Sequence, residues 1–596
     1  MNPSIGTHPI RWFRRTVAVG ITILAALFVQ STTHLYSQSS DVVAEGDPMP
    51  SIGNPSDDAS AQLTFSGKAS FNGPSFLKRP NRLSGGKNHS GGELDTGGDV
   101  ESSDSFSPGL APEGRKQLSA LGTTKVDHVV EGFGFNDNAA ETGFFIIPPD
   151  PHGAVGNSRV IAIGNVIIEC RNRSGQLKWR DALRDFFAPL SPTTLTFDPK
   201  IIYDQYEDRF VAVTLEQVTG TASVSPTNIS RILVAVSKDG NPKTPTAADW
   251  HYHAINSKTL VSGFETWADY PGLAIDEEAV YVNANMFTFV PFGLFGGVRL
   301  WIIDKGAGGG FYAGGPAGVT VHNPYATGGI ATTTQPAHVF GDGGAGPTTG
   351  TYLVSYSGLS DGVDEFVQIV RVDNPLGATT FAQQFVNVGN LETGFPALPD
   401  APQLGGSALI EVNDRRALNA VWRDNALWMT AEIRPDSGPD LNQTTAHWWN
   451  LNATIPAVIT LADQGNVGGE DIAPGTYTYY PAVAVNRDGH AAFGFSASAP
   501  TIFAGAFVTG RSATDAAGTV RPSDVVHAGV DFYLRRFSAN PAARNRWGDY
   551  TSAVVDPTND DFFWVFNEFA DVQGTPLVAG DGQGRWRMTW ARYKSN

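Results

Sequence analysis

Trp267-Ala268-Asp269-Tyr270-Pro271-Gly272-Leu273-Ala274-Ile275-Asp276 returns along this chain in altered spelling. Trp547–Asp556 reads Trp-Gly-Asp-Tyr-Thr-Ser-Ala-Val-Val-Asp, and Tyr479–Asn486 and Phe197–Asp204 are looser copies. Each copy has a polar or proline-containing start, then small and β-branched residues that suit a pleated, half-buried surface, then a turn. An aromatic-rich strand pattern follows each one. Self-similarity at this spacing is the mark of a repeat architecture, and short strands in regular succession point to a β-propeller.

Working outward, units start near Asp150 (in Pro148–Gly153), Asp198, Asp269, Pro336, Asp414, Tyr480 and Asp549, which makes seven. The second unit reads as strands Asp198–Asp204, Arg209–Gln217, Arg231–Ser237 and Trp250–Ile255. The third reads as Leu273–Asp276, Val280–Met286, Val298–Ile303 and Val319–His322. The last has only three, Thr551–Val555, Phe562–Phe566 and Arg585–Tyr593. An unpaired strand edge is a template for aggregation. Val126–Phe135 is therefore predicted to supply the fourth strand and close the ring. The expected fold is all-β, a single propeller of seven four-stranded blades over residues 126–596.

Ahead of it, residues 1–37 read as an export signal: Arg11, Arg14 and Arg15 precede the apolar run Thr16–Val29, and small residues follow at Val29-Gln30-Ser31. Cleavage is expected between 31 and 37. The apolar run is short for a membrane span, and an uncleaved anchor is the alternative. Residues 38–125 are rich in Ser, Gly, Asp, Asn and Pro, and segments such as Ser84–Ser90 and Gly97–Ser107 bury too little apolar surface to fold. They read as a disordered linker. The expected location is outside the cytoplasm: secreted, periplasmic or on the cell surface.

The chain has 596 residues, 66 of them glycine, and only 17% charged, which fits many short strands joined by tight turns. With 41 basic and 59 acidic residues the net charge is −18. Phosphate binding needs a basic patch, so nucleic acid is excluded as a partner. Beyond the export signal no membrane contact is expected, and the chain reads as a monomer. Its one cysteine, Cys170, lies in an apolar strand pattern and reads as a buried small hydrophobe.

Six segments, Pro148–Asn157, Asp198–Phe210, Trp267–Met286, Pro399–Trp428, Tyr480–Ser498 and Arg546–Glu568, resemble a family of uncharacterised secreted bacterial exoproteins with a β-propeller-like fold. The resemblance implies fold and export and carries no reaction. More broadly the chain is similar to the sialidase-like superfamily of propellers. It lacks that superfamily's Phe/Tyr-Arg-Ile-Pro motif, and Ser237-Lys238-Asp239-Gly240-Asn241 with Trp250 downstream departs from the Asp-box spacing.

In a propeller, equivalent positions of different blades gather around the axis. Asp150, Asp198, Asp269 and Asp549 are candidates for such a ring, either as a Ca²⁺ or polar-ligand site or as turn caps. Arg209, Arg416 and Arg546 would form a carboxylate clamp for acidic sugars if they converged, and otherwise pair with acids between blades. Glu568, or Glu265, would pair with a ring Asp for glycoside hydrolysis. His152 is the candidate general acid or base. His251 and His253 share one strand face and would need a third ligand to bind Zn²⁺. Gly358-Leu359-Ser360-Asp361-Gly362 reads as a hairpin turn, because a strand pattern and no helix follows it. Trp422, Trp428, Trp448 and Trp449 read as packing between blades, with sugar stacking as the alternative. No catalytic set is convincing. The leading expectation is a binding or adhesion scaffold for extracellular polysaccharide or surface glycan. The alternatives are a glycosidase or polysaccharide lyase acting on acidic sugars in the central funnel, and a Ca²⁺-stabilised structural exoprotein.

Overall fold

A computed structural model of the chain describes residues 125–594 apart from 194–195, 291–292, 307–308, 327, 342–349, 358, 361–362, 393–396, 542 and 578–579, together with three short strands ahead of them, Ser51–Ile52, Leu63–Phe65 and Ala69–Phe71. The signal segment 1–37, and the linker 38–125 but for those strands and Lys125, lie outside the described residues. All of the described residues belong to one compact unit, Ala44–Asn596.

Seven sheets follow one another as the blades of a propeller. Blade 1 runs from His152–Val155 to Leu177–Ala182, and blade 2 from Phe197–Asp204 to Trp250–Asn256. Blade 3 runs from Phe264–Ile275 to Val319–His322, and blade 4 from Gln335–Pro336 to Thr380–Gly389. Blade 5 runs from Asn419–Arg423 to Thr460–Val467, and blade 6 from Tyr477–Val485 to Asp524–His527. Blade 7 contains Ser552–Val555, Phe562–Asp571 and Arg585–Lys594. Its fourth strand is Val126–Gly134, paired antiparallel with Val130 opposite Trp590 and Val126 opposite Tyr593. The beginning and the end of the propeller thus share one sheet, and no edge is left at the seam.

Buried apolar clusters fill the interfaces between neighbouring blades. Between blades 2 and 3, for example, Val211, Val213 and Ile232 meet Val280, Val282 and Trp301. Burying one such aliphatic side chain contributes about 1.5–3 kcal/mol. Blade faces therefore hold each other, and every blade needs two neighbours.

Blades 3 and 5 carry a fifth strand. In blade 4 only Gln335 and Pro336 pair with the next strand, and His338–Phe340 then runs parallel to Val421–Arg423 of blade 5. Directly after Pro336 the Ala337 N–H still donates to the Tyr352 carbonyl at 2.8 Å, and the chain then crosses to blade 5. Two long connections precede blades 5 and 7, 390–418 and 528–551; the first folds back on itself through an antiparallel bridge Ala401–Ile410, and the two meet through a parallel bridge Glu411–Arg546 and reciprocal hydrogen bonds between Gln403 and the Tyr533 backbone. Val412, Tyr533 and Trp547 of these connections share a buried cluster with Tyr480 at the start of blade 6. They cap the starts of the inner strands. Among the described residues no helix is long and apolar enough to cross a membrane.

Candidate functional site

The repeated phrase places a left-handed residue before a proline at the head of four inner strands. φ is +48° at Asp150 and Asp198, +52° at Tyr270 and +51° at Tyr480, each followed by Pro. In blades 2, 3 and 6 the strand register skips both residues as a bulge. The proline has no N–H to lose from the ladder, and the left-handed residue turns its side chain out of the alternation. Structurally, then, Asp150 and Asp198 are equivalent to Tyr270 and Tyr480. Asp269 stands one residue earlier, paired opposite Asn285 in the sheet.

Carboxylate oxygens of Asp150, Asp198 and Asp549, from blades 1 and 2 and the connection into blade 7, lie within 4.8 Å of one another. All three residues are at most 2% exposed. Asp269, expected in the same ring, is buried but is not one of this group. Asn165 links the first two, donating from Nδ2 to Asp150 and accepting from the Asp198 N–H at 2.8 Å. The Tyr270 N–H donates to Asp198 Oδ2 at 3.1 Å. Arg546 donates to both oxygens of Asp549 at 2.8 and 2.7 Å, and Asn413 donates to Oδ1 at 3.3 Å. At an effective dielectric of ~20, two carboxylates this close repel by about 3–4 kcal/mol. Arg546 offsets one of the three charges. Glu568 is 1% exposed, and burial followed by the field of Asp150 raises its carboxyl well above the usual range. Its Oε2 has no hydrogen-bond partner among the described residues.

Below this cluster, along the axis, lies a cavity of about 370 Å³ lined by side chains from all seven blades. Its inner end is formed by His152, Lys200 and Gln335. Lys200 donates to Gln335 Oε1 at 3.2 Å and lies 4.4 Å over the Tyr550 ring. Burial pushes the Lys200 amine down to about 7, against the pull of Asp198 and Asp150. His152 Nδ1 accepts from the Ile201 N–H at 3.4 Å, and burial, then Lys200, holds its pKa well below the ordinary histidine range. The outer end is lined by Asn157, Gln205, Arg423, Arg487 and Asp560, of which Asn157 and Arg487 are exposed. There Arg423 pairs with Asp560 at 2.9 Å, and His338 Nε2 bonds Gln205 Oε1 at 2.9 Å.

The three arginines do not converge. Arg416 and Arg546 share Asn413: Arg416 donates to its Oδ1 at 3.2 Å, while Asn413 contacts Asp549, the partner of Arg546. Arg416 also pairs with Asp414 at 2.7 Å and stacks 4.5 Å over Tyr270. Arg209 pairs in the sheet with Asp204, at the opposite end of its inner strand from Asp198, and donates to the Tyr312 carbonyl at 2.5 Å. Its position on the second strand of blade 2 sends it away from the axis. Glu265 binds Lys258 and Asn228. His253 packs on Phe311, and neither it nor His251 joins a three-ligand group among the described residues. Trp422, Trp428, Trp448 and Trp449 are at most 3% exposed and fill the blade interfaces. Cys170 is buried, and its thiol is pushed up to about 12 by desolvation. Ser360 bridges Glu365 at the start of a strand. Asn165, Lys200 and Asn413 were not singled out by sequence. The residue–proline pair in the repeat was the available signal for Lys200, directly after Pro199, whereas Asn165 and Asn413 look like ordinary turn residues.

No family model matches the chain, and no curated protein does. Among solved structures it is similar to a protein of unknown function from Dyadobacter fermentans, at 12% identity over 66% of this chain and 94% of that one, with a TM-score of 0.35. It is also similar to the α-L-arabinofuranosidase of Fusarium graminearum, at 9% identity, 78% and 98% coverage and a TM-score of 0.32. A third is the Trypanosoma rangeli sialidase in complex with sialic acid, at 9% identity, 67% and 54% coverage and a TM-score of 0.33. These likenesses bear on no residue of the site. The propeller itself rests on strand order and pairing.

Proposed function

We propose that this is an exported propeller that binds a polar, polyhydroxylated ligand, an extracellular polysaccharide or surface glycan, in its axial cavity without reacting with it. The supporting observation is the cavity: about 370 Å³, ringed by hydrogen-bonding side chains and open where Asn157 and Arg487 meet solvent. Ligand pockets usually measure about 300–1,000 Å³. Its two aspartates are already engaged, Asp556 by Trp564 and Arg173 and Asp560 by Arg423. Glu568, a carboxyl group with a raised pKa, lies beside the capped cluster and outside the cavity lining. A donor-rich cavity without a free acid–base pair suits recognition better than hydrolysis. The export reading rests on Arg11, Arg14, Arg15 and the apolar run after them.

The test is a glycan array and calorimetric titration with the purified protein, alongside product analysis on neutral and acidic polysaccharides. Binding that weakens about tenfold or more in Gln205→Ala and Arg487→Ala, with no product released, is the expected result. Absence of binding to every glycan class would overturn the reading. Product release lost in Glu568→Gln would replace it with the glycosidase alternative.

A further inference from the structure

We propose that Asp150, Asp198 and Asp549, with Glu568 beside them, hold one divalent cation of the calcium type at the capped end of the axis. Two oxygens bound to one Ca²⁺ at about 2.3–2.6 Å lie at most about 5 Å apart, and the three aspartates meet this limit, with oxygens within 4.8 Å of one another. Each reaches the site from its own segment: the turn into blade 1, the bulge of blade 2 and the connection into blade 7. Arg546 neutralises one of the three negative charges, while Lys200 is engaged by Gln335 and the face of Tyr550. The ion would answer the negative charge that Arg546 leaves on the three aspartates and Glu568.

Glu568 is the independent pointer. It is 1% exposed, and its Oε2 has no hydrogen-bond partner among the described residues. Its Oε1 would stand 2.9 Å from a Cβ placed on Gly548, so the carboxylate lies against the residue next to Asp549. Asp150 is the charge that acts on it. A buried carboxylate oxygen without a donor is costly, and a cation is the partner that answers it. The donor set is oxygen only, which selects hard cations over zinc or copper. Neither Glu568 nor Asp269 belongs to the group whose oxygens lie within 4.8 Å of one another, but Glu568 lies against Gly548, the neighbour of Asp549. The ion would tie blades 1, 2 and 7 together across the seam where the ring closes.

The test uses the purified full chain. Metal analysis after desalting is expected to find about one calcium per molecule. EDTA is expected to lower the thermal midpoint by about 5 °C or more, and added Ca²⁺ to restore it. Tb³⁺ is expected to emit under excitation of the adjacent Tyr270 and Tyr550, with Ca²⁺ quenching the signal by competition. Glu568→Gln is expected to weaken Ca²⁺ binding about tenfold or more, and Asp269→Asn to change it less than about threefold. A wild-type protein with no bound metal, no response to EDTA or Ca²⁺ and no Tb³⁺ emission would overturn the site. Equal losses in Glu568→Gln and Asp269→Asn would overturn the ligand assignment.

Discussion

At the starts of the inner strands, Asp150, Asp198, Asp549 and Glu568 are buried to within 2% of complete exclusion from solvent; at their ends, the carboxylate of Asp560 is 35% exposed. Both ends are rich in aspartate and arginine, yet the environments oppose each other. At the starts, the paired connections around Ala401–Glu411 and Tyr533–Arg546 shut water out, so each charge depends on fixed partners. At the ends the cavity opens, and Asp560 shares its charge between Arg423, the Arg487 N–H and water. The same residue types thus act as a structural knot at one end and as an adaptable lining at the other. What separates them is solvent access, because interactions between charges strengthen as water leaves.

The largest effect should come from breaking the knot. Asp549→Ala leaves Arg546, with a side chain only 4% exposed, without its carboxylate. A buried charge stripped of its partner costs about 3–5 kcal/mol, to be read from chemical or thermal unfolding. A cost below about 1 kcal/mol would show that water reaches the capped end, and the contrast would fail.

Arg423→Ala makes the matching cut at the open end. Asp560 keeps its solvent and the Arg487 N–H, and the loss comes from the packing of Arg423 over Phe340 at 5.0 Å and from its hydrogen bond to the Val485 carbonyl at 3.0 Å. The expected cost is about 1–2 kcal/mol in the same measurement. A penalty as large as that of Asp549→Ala would erase the difference between the ends.

The smallest effect is a slope with pH. His338, at the cavity wall, is pushed down to about 3 by burial, with help from Lys305 and Arg423. Its unfolded value is about 6.5. Between these values the unfolded chain takes up a proton that the folded one refuses, so stability is full above about 6.5 and falls as pH drops toward about 3. His338→Gln should flatten the stability profile over that window. An unchanged profile would mean that the cavity hydrates this ring in the folded state.

Much of this architecture was legible along the chain. The strands read for blades 2 and 3 match the observed ones to within a few residues except the inner strand of blade 3, which starts nine residues earlier, at Phe264, because the phrase Trp267–Gly272 itself lies on the strand. The closing role of Val126–Gly134 followed from a last unit one strand short. The fifth strand of blade 5, His338–Phe340, was not legible, since Pro336 looked like an ordinary blade start. The site was less so. Aligning the phrases on their aspartates put Asp269 in the ring, whereas the backbone aligns Asp198 with Tyr270, at the left-handed residue before proline. Arg209 looked like a partner of Arg416 and Arg546, but it sits at the other end of the strand.

The sequence by itself determined the all-β class, the seven units and the strand that closes them. Those follow from local patterns: alternation, β-branched runs, and turn residues whose preferences act over a few positions. Only the tertiary structure decided which acids meet, that two distant connections bury them, and that the open cavity lies at the other end. Those depend on the direction in which each inner strand reaches the axis and on what covers it, and a one-residue offset of the phrase against the shared bulge is enough to put a tyrosine where another blade has an aspartate.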